Sequence, residues 1–201
     1  MKLELIKPDD KRLKEVSKEI IDFTKDYKSI IDSIKEVCLE KNAYAAAAPQ
    51  FGINERFILV MTDSKVYGMD EGIKKYAITS YFNPVIVKME GTQIYYEACM
   101  SVSNAIGRVK RPFCIKLKYQ DIHGNKHVKT VEGFEAIIIC HEIDHLDGIE
   151  YTDRADIMYY DVNVGQRKSI RDRHPHEILA ISEEFKYHSV KMVVKSYSEE
   201  K

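Results

Sequence analysis

The chain has little that would place it in a membrane, outside the cell or on a nucleic acid. Its first residues, Met1-Lys2-Leu3-Glu4-Leu5-Ile6-Lys7, lack the apolar core of a secretory signal, and no apolar run approaches membrane-spanning length. A cytoplasmic protein without a membrane partner is the expectation. The 31 basic side chains nearly balance 32 acidic ones, so bulk charge gives no basis for binding DNA or an anionic surface. Cysteine is scarce as well. Cys38, Cys99, Cys114 and Cys140 could close two bridges, but a chain of 201 residues without a signal is poorly placed to keep them oxidised. Free thiols, mostly buried as small apolar groups, are expected. No break in composition divides the sequence, and its length suffices for one hydrophobic core, so residues 1–201 are read as a single domain.

What the chain does have is His141-Glu142-Ile143-Asp144-His145, directly after the apolar run Ala136-Ile137-Ile138-Ile139-Cys140. No helix breaker separates them, which predicts one buried helix. Residues four apart share a helix face about one turn apart, so His141 and His145 can offer two imidazoles to one metal ion. Glu142, beside the first, can serve as general base toward a water. Such a site needs a third protein ligand. In the metzincin pattern a third histidine follows the second by six residues; Gly148 fits its glycine, but Tyr151 stands at the ligand position. In the thermolysin pattern a glutamate lies about twenty residues downstream, where the carboxylate nearest Gly165 is Asp161.

Upstream, Leu13, Val16, Ile20, Phe23, Tyr27, Ile30, Ile31, Ile34 and Cys38 recur at three- and four-residue intervals. They predict amphipathic helix over residues 10–41, broken near residues 24–27. Residues 43–52 place a run of alanines ahead of Pro49, which favours a turn or extended backbone and leaves Gln50 as a polar side chain in a confined place. Strands are predicted over residues 56–61, 76–87 and 93–96, with an edge or bulge at Pro84, and a loop or hairpin over residues 63–75. Residues 106–132 read as a meander, because Ile115, Leu117 and Tyr119 alternate with Lys116, Lys118 and Gln120. A terminal helix is expected from Pro175, carrying Ile178, Ile181, Phe185 and Val193, with His174 and His176 as exposed tail residues. The fold class expected is α+β: antiparallel strands packed around a central metal-binding helix, with an N-terminal helical segment and a C-terminal helix.

Three separated motifs then occur in order. They are residues 43–52 with Pro49-Gln50, then Glu97-Ala98-Cys99-Met100-Ser101 after a strand, then residues 133–148 around the two histidines, with Arg111-Pro112 between the last two. In this combination the chain resembles the peptide deformylases over about residues 10–154. The resemblance implies Cys99 as the third metal ligand beside His141 and His145, and Glu142 as the acid/base. It further implies Gln50 and the Met100 backbone N–H as oxyanion donors, and a Glu97–Arg111 ion pair bracing the ligand strand. The activity implied is removal of the N-formyl group from the N-terminal methionine of new polypeptides, with Fe2+ as the physiological ion. Thiolate and imidazole donors also suit Zn2+, Ni2+ or Co2+.

Phe134, Ile137 and Ile138 precede His141 by seven, four and three residues, which puts an apolar wall for a methionine side chain beside the ligands. Residues 155–201 form an extension beyond the resemblance, and contact with the ribosome through the terminal helix is one expectation for it. The family pattern has glycine where this chain has Ala43, Ala45 and Ala98. Ala45 and Ala98 border the expected peptide path, where a methyl restricts the backbone and the approach of a substrate strand. The alanines keep two other readings open: a non-catalytic deformylase-like protein that binds peptide or metal, and a hydrolase of another small amide.

Overall fold

The structure is a computed structural model that describes residues 3–62 and 77–180. Along the chain come α1 (Tyr27–Lys41), β1 (Ala45–Ala47), β2 (Phe57–Thr62), β3 (Ala77–Glu90), β4 (Thr92–Cys99), β5 (Val102–Arg111), β6 (Cys114–Gln120), β7 (Lys126–Glu132), α2 (Gly133–Leu146), α3 (Tyr151–Arg154), β8 (Ile157–Tyr160), α4 (Val164–Arg173) and β9 (Glu177–Ala180). Two antiparallel sheets result. One has the order β1-β2-β3-β6-β7 and the other β8-β5-β4-β9.

The unbroken apolar run Phe57-Ile58-Leu59-Val60-Met61 makes sense once both faces of β2 are seen to be covered. Ile58 and Val60 point to α2, where they meet Ala136, Ile139, Ile143 and Leu146. Phe57, Leu59 and Met61 point the other way, against Tyr27, Ile34, Val37 and Cys38 of α1. Burial of each such side chain stabilises by about 1.5–3 kcal/mol, enough to hold α2 against the sheet without help from its polar residues. The helix ends at Gly148, whose φ of +70° suits glycine. A Cβ there would stand 2.4 Å from the Lys14 carbonyl oxygen, so the close packing of the N-terminal segment also requires glycine.

In β6, Ile115 and Leu117 are fully buried while Lys116 and Lys118 face out, as their alternation predicts. The irregularity expected at Pro84 is a bulge: the β3–β6 register shifts between Phe82 and Val85. It lies inside the sheet, since β3 pairs with both β2 and β6, so the edge alternative does not apply. Asn83 turns there with φ +47°, and its side-chain amide accepts from Ile20 N–H at 2.8 Å and donates to Ile20 C=O at 2.7 Å.

That contact is one reason the first half of the expected N-terminal helix is absent. Only Lys11–Lys14 form a short 3-10 turn, and the backbone that follows makes its hydrogen bonds to other elements. Ser17 N–H donates to Leu146 C=O at 2.7 Å, and Arg56 N–H donates to Lys18 C=O at 2.8 Å. Val16 and Ile21, two of the residues in or beside the apolar series, are 66% and 91% exposed. Tertiary partners therefore outcompeted a helical repeat that Leu13, Val16, Ile20 and Phe23 satisfied by coincidence of spacing.

At the other end, Pro175 does not start a helix over the residues described. Glu177–Ala180 pair with β4 as a strand, and the helix of this region is α4, ahead of the proline. The loop expected over residues 63–75 falls within residues 63–76, outside those described. So do residues 181–201, and with them Ile181, Phe185, Val193 and the expected ribosome contact.

Candidate active site and metal centre

The site forms where the end of β4, the 3-10 turn Ala48–Phe51 after β1 and the middle of α2 meet. The two-residue turn Met100-Ser101 closes the β4–β5 hairpin, with Cys99 opposite Val102. It holds Cys99 at the strand tip. Side chains two apart on a strand share a face, so Tyr95, Glu97 and Cys99 form one row along β4. From α2, His141 and His145 face that row, their rings 5.1 Å apart. Ligand atoms of Cys99, His141 and His145 all lie within 4.8 Å of one another. Cys99 Sγ is 3.1 Å from His145 Nε2.

This donor set fits a metal ion. One thiolate and two imidazoles are borderline-soft ligands that leave a tetrahedral ion one position free. Burial acts to raise the Cys99 thiol, but the His145 and His141 rings outweigh it and hold the group well below the ordinary thiol range. The other three thiols differ. Cys38, Cys114 and Cys140 are buried and free, and burial pushes each of them up, Cys38 and Cys140 to about 12 and Cys114 to about 11.

A buried ionic chain orients the first imidazole. His141 Nδ1 lies 2.8 Å from Glu97 Oε2, which fixes the tautomer and turns Nε2 toward Cys99. Arg111 donates to both Glu97 oxygens, from Nε at 2.8 Å and Nη2 at 2.9 Å, and from Nη1 to Asp144 at 2.5 Å. Arg154 closes the far end on Asp144 at 2.5 and 2.6 Å. Burial tends to raise the Glu97 carboxyl, but the Arg111 and His141 hydrogen bonds prevail and hold it at about 2. Tyr151 lies over the other face of His141, with ring centroids 6.0 Å apart and nearly parallel planes.

Glu142 is 5% exposed and lines the cleft, and its Oε2 has no hydrogen-bond partner among the described residues. Burial pushes its carboxyl up to about 7. Such a group exchanges a proton readily at neutral pH. Gln50, expected in a confined place, is 1% exposed. Its Oε1 accepts from Ala47 N–H at 2.9 Å, which fixes the amide orientation. Nε2 then donates to Ser101 Oγ at 3.0 Å and sits 3.3 Å from Cys99 Sγ.

These groups open into a cleft of about 700 Å³. Phe134, Ile137 and Ile138 form part of its wall, and so do Ala43, Ala45, Ala98 and Met100. None of the three alanines has positive φ; among the described non-glycine residues only Asn42, Asn83, Asn104 and Asp161 do. Alanine is therefore accommodated without backbone strain, and what distinguishes it from glycine here is the methyl group alone.

Some neighbours were absent from the sequence reading. Ser101, within the strand-end motif, is 2% exposed and takes the Gln50 hydrogen bond. Tyr95 could have been found by counting back from Cys99 in steps of two. Its ring meets Phe134 at 5.3 Å, and Tyr44 meets Phe134 at 5.7 Å, so the apolar wall is largely aromatic. Asp144, between the histidines, was given no role by the sequence, and the approach of Arg111 and Arg154 makes it the far end of the ionic chain. His176, read as an exposed tail residue, instead lies 2.6 Å from Gln93 Oε1 and is partly buried.

Comparison with known proteins points to one family. The family model described as polypeptide deformylase matches residues 2–159. The chain is similar to the peptide deformylase of Caldicellulosiruptor bescii, 33% identical over 165 residues, covering 82% of this chain and 92% of that protein. It is similar to that of Acetivibrio thermocellus, 34% identical over 161 residues, covering 79% and 86%. Among solved structures, the peptide deformylase of Thermotoga maritima superposes with a TM-score of 0.67 at 27% identity, over 78% of this chain and 99% of that one. A Met-Ala-Ser-bound class I type b peptide deformylase from Acinetobacter baumannii gives 0.66 at 26% identity, over 77% and 98%.

Proposed function

The chain belongs to the polypeptide deformylase family, and from that membership we propose how its own residues carry the reaction. The reaction is hydrolysis of the formamide at the N-terminal methionine of newly made polypeptides, releasing formate and a free amine. We assign Cys99, His141 and His145 as the ligands of one divalent ion, with Fe2+ as the physiological choice. When bound, that ion supplies Lewis acidity, which polarises an oxygen and acidifies water.

Glu142 does the proton work. Its side chain lines the cleft and its Oε2 has no partner among the described residues, so it can take the proton of the attacking water and hand it to the departing nitrogen. Gln50 Nε2, 3.3 Å from Cys99 Sγ, and the N–H of Met100, which follows Cys99 and lines the cleft, serve as donors to the developing oxyanion. The methionine side chain rests on Phe134, Ile137 and Ile138, with Ala45 and Ala98 beside the peptide backbone. Glu97 and Arg111 hold His141 in orientation. We take residues 1–201 as one domain acting in the cytoplasm, where translation supplies formylated chains.

The observation that carries this assignment is the convergence of Gln50, Cys99, Glu142 and both histidines, drawn from three separate segments, on one cleft. The test is formate release from formyl-Met-Ala-Ser by protein purified anaerobically and loaded with Fe2+, with metal content measured on the same sample. Formate at one equivalent per peptide is expected. Bound metal with no formate from any formyl-Met peptide would overturn the assignment.

A further inference from the structure

Beyond residue 159, where the family match ends, α4 packs along the cleft and alters its character. Val164, Arg167, Lys168 and Arg171 all line the cleft, and their spacing is that of a single helix face. Ile170, on the opposite side, is 4% exposed and anchors the helix against Tyr96, Ile106 and Val162. The basic face is thus held toward the cleft by a packed apolar one.

Arg171 is fixed in place. Its Nε donates to the Tyr96 carbonyl at 2.9 Å and its guanidinium lies 5.3 Å from the Tyr95 ring centroid. Tyr95 in turn touches Phe134 of the apolar wall, so this cation stands next to the position proposed for the methionine side chain. Lys41, from the end of α1, adds a further positive charge to the lining. Among the described residues Arg167 and Lys168 form no ion pair. Among the described residues the carboxylates of the lining are few. Glu97 is neutralised by Arg111, Glu142 belongs to the reaction centre, and Asp172 alone remains on the rim.

From this rim we infer that the cleft selects formylated chains carrying carboxylates just after the methionine, a substrate preference that rests on the deformylase reading. An acidic side chain at the second or third position gains the unpaired cations of α4, while a basic one meets like charge. The overall charge of the protein, near zero, gives no hint of this, because the preference comes from how the charges are distributed.

The test compares formyl-Met-Glu-Glu, formyl-Met-Ala-Ala and formyl-Met-Lys-Lys, all as C-terminal amides. A few exposed ion pairs, each worth a few-fold, should favour the Glu peptide over the Lys peptide in kcat/KM by about tenfold at low salt. At about 0.5 M salt the ratio should fall to about twofold or less, because the Debye length shrinks to a few ångströms. The charge reversal R167E/K168E should invert the order, and the milder R167Q/K168Q should reduce it to about threefold or less, since Arg171 and Lys41 remain in the lining. Thermal unfolding checks that both variants fold.

A second arm titrates the deformylated products Met-Glu-Glu-amide and Met-Lys-Lys-amide onto metal-loaded protein. It reads the rim even if no peptide releases formate, a result that would sink the deformylase reading alone. Equal affinities within twofold in both arms, or a preference indifferent to R167E/K168E, overturns the inference. So does peptide indifference accompanied by loss of affinity for a structured RNA in the same variants.

Discussion

Replacing Arg111 with methionine tests whether the ionic chain behind the metal centre is a structural necessity or a positioning device. The guanidinium makes two hydrogen bonds to Glu97 and one to Asp144, with its side chain 4% exposed. Methionine fills similar volume but strands Glu97, which is 3% exposed. Asp144 keeps Arg154, so only Glu97 loses its cation, and His141 Nδ1 is then its remaining partner. That carboxylate can escape by binding a proton, which at pH 7 costs about 3.4 kcal/mol for a carboxyl ordinarily titrating at 4.5. Added to the lost charge-assisted bonds, Arg111→Met should reduce stability by about 3–5 kcal/mol.

The double variant Glu97→Leu/Arg111→Met removes the orphan and should regain about 2 kcal/mol or more of that loss. Metal affinity should move the other way. Arg111→Met leaves Glu97 able to hold His141 Nδ1, whereas the double variant removes that acceptor and should bind zinc about 10–100-fold more weakly than wild type. Urea unfolding of the metal-free proteins and competition with a chromophoric chelator measure the two quantities. The sign with pH also follows. Glu97 is held at about 2, below its ordinary 4.5, so its contribution is present above pH 4.5 and is lost as pH falls toward 2. The gap between wild type and Arg111→Met should therefore be full at pH 7 and narrow in acid. A loss under about 1 kcal/mol at pH 7, or a double variant no more stable than the single, would refute the reasoning.

Glu142→Gln should lower formate release by about 10²–10⁴-fold while retaining bound metal, since the carboxylate is outside the ligand set; loss of metal would place it among the ligands instead. Ala45→Gly should cost about 0.5–1 kcal/mol in urea unfolding and give no gain from relieved strain, because Ala45 sits in β1 with negative φ. An increase in stability would contradict that. Tyr151→Phe should be neutral or stabilising by about 1 kcal/mol, as the hydroxyl is buried with no partner among the described residues while the ring keeps its place over His141. A loss above about 1 kcal/mol in thermal or chemical unfolding would show that the hydroxyl is bonded after all.

How much of this was legible in the chain differs from segment to segment. The α2 helix was, because an apolar run followed by two histidines at helical spacing has one reading that both buries the run and aligns the rings. Of the meander expected over residues 106–132 only the β6–β7 hairpin was, because strict alternation leaves a single face to bury, whereas residues 106–111 belong to β5, which pairs with β4 and β8 in the other sheet. The segment from Val16 to Phe23 was not. Its spacing matched a helix, yet the Leu146 carbonyl, the Asn83 amide and the Arg56 N–H, all distant in sequence, supplied better partners for its backbone.

The same division runs through the site. Local order carried the ligand types and Glu142, since two imidazoles and an adjacent carboxylate need only one helix to align them. Cys99 entered through resemblance, and its nearness to His145 depends on a hairpin that brings β4 across α2. Tertiary structure alone decided which face α4 turns to the cleft, because Ile170 had to find the pocket among Tyr96, Ile106 and Val162 before Arg167 and Lys168 could be placed. Local sequence determines what a single element can align by its own period. Where two elements must meet, burial of apolar surface far from the site decides which charges end up facing the substrate.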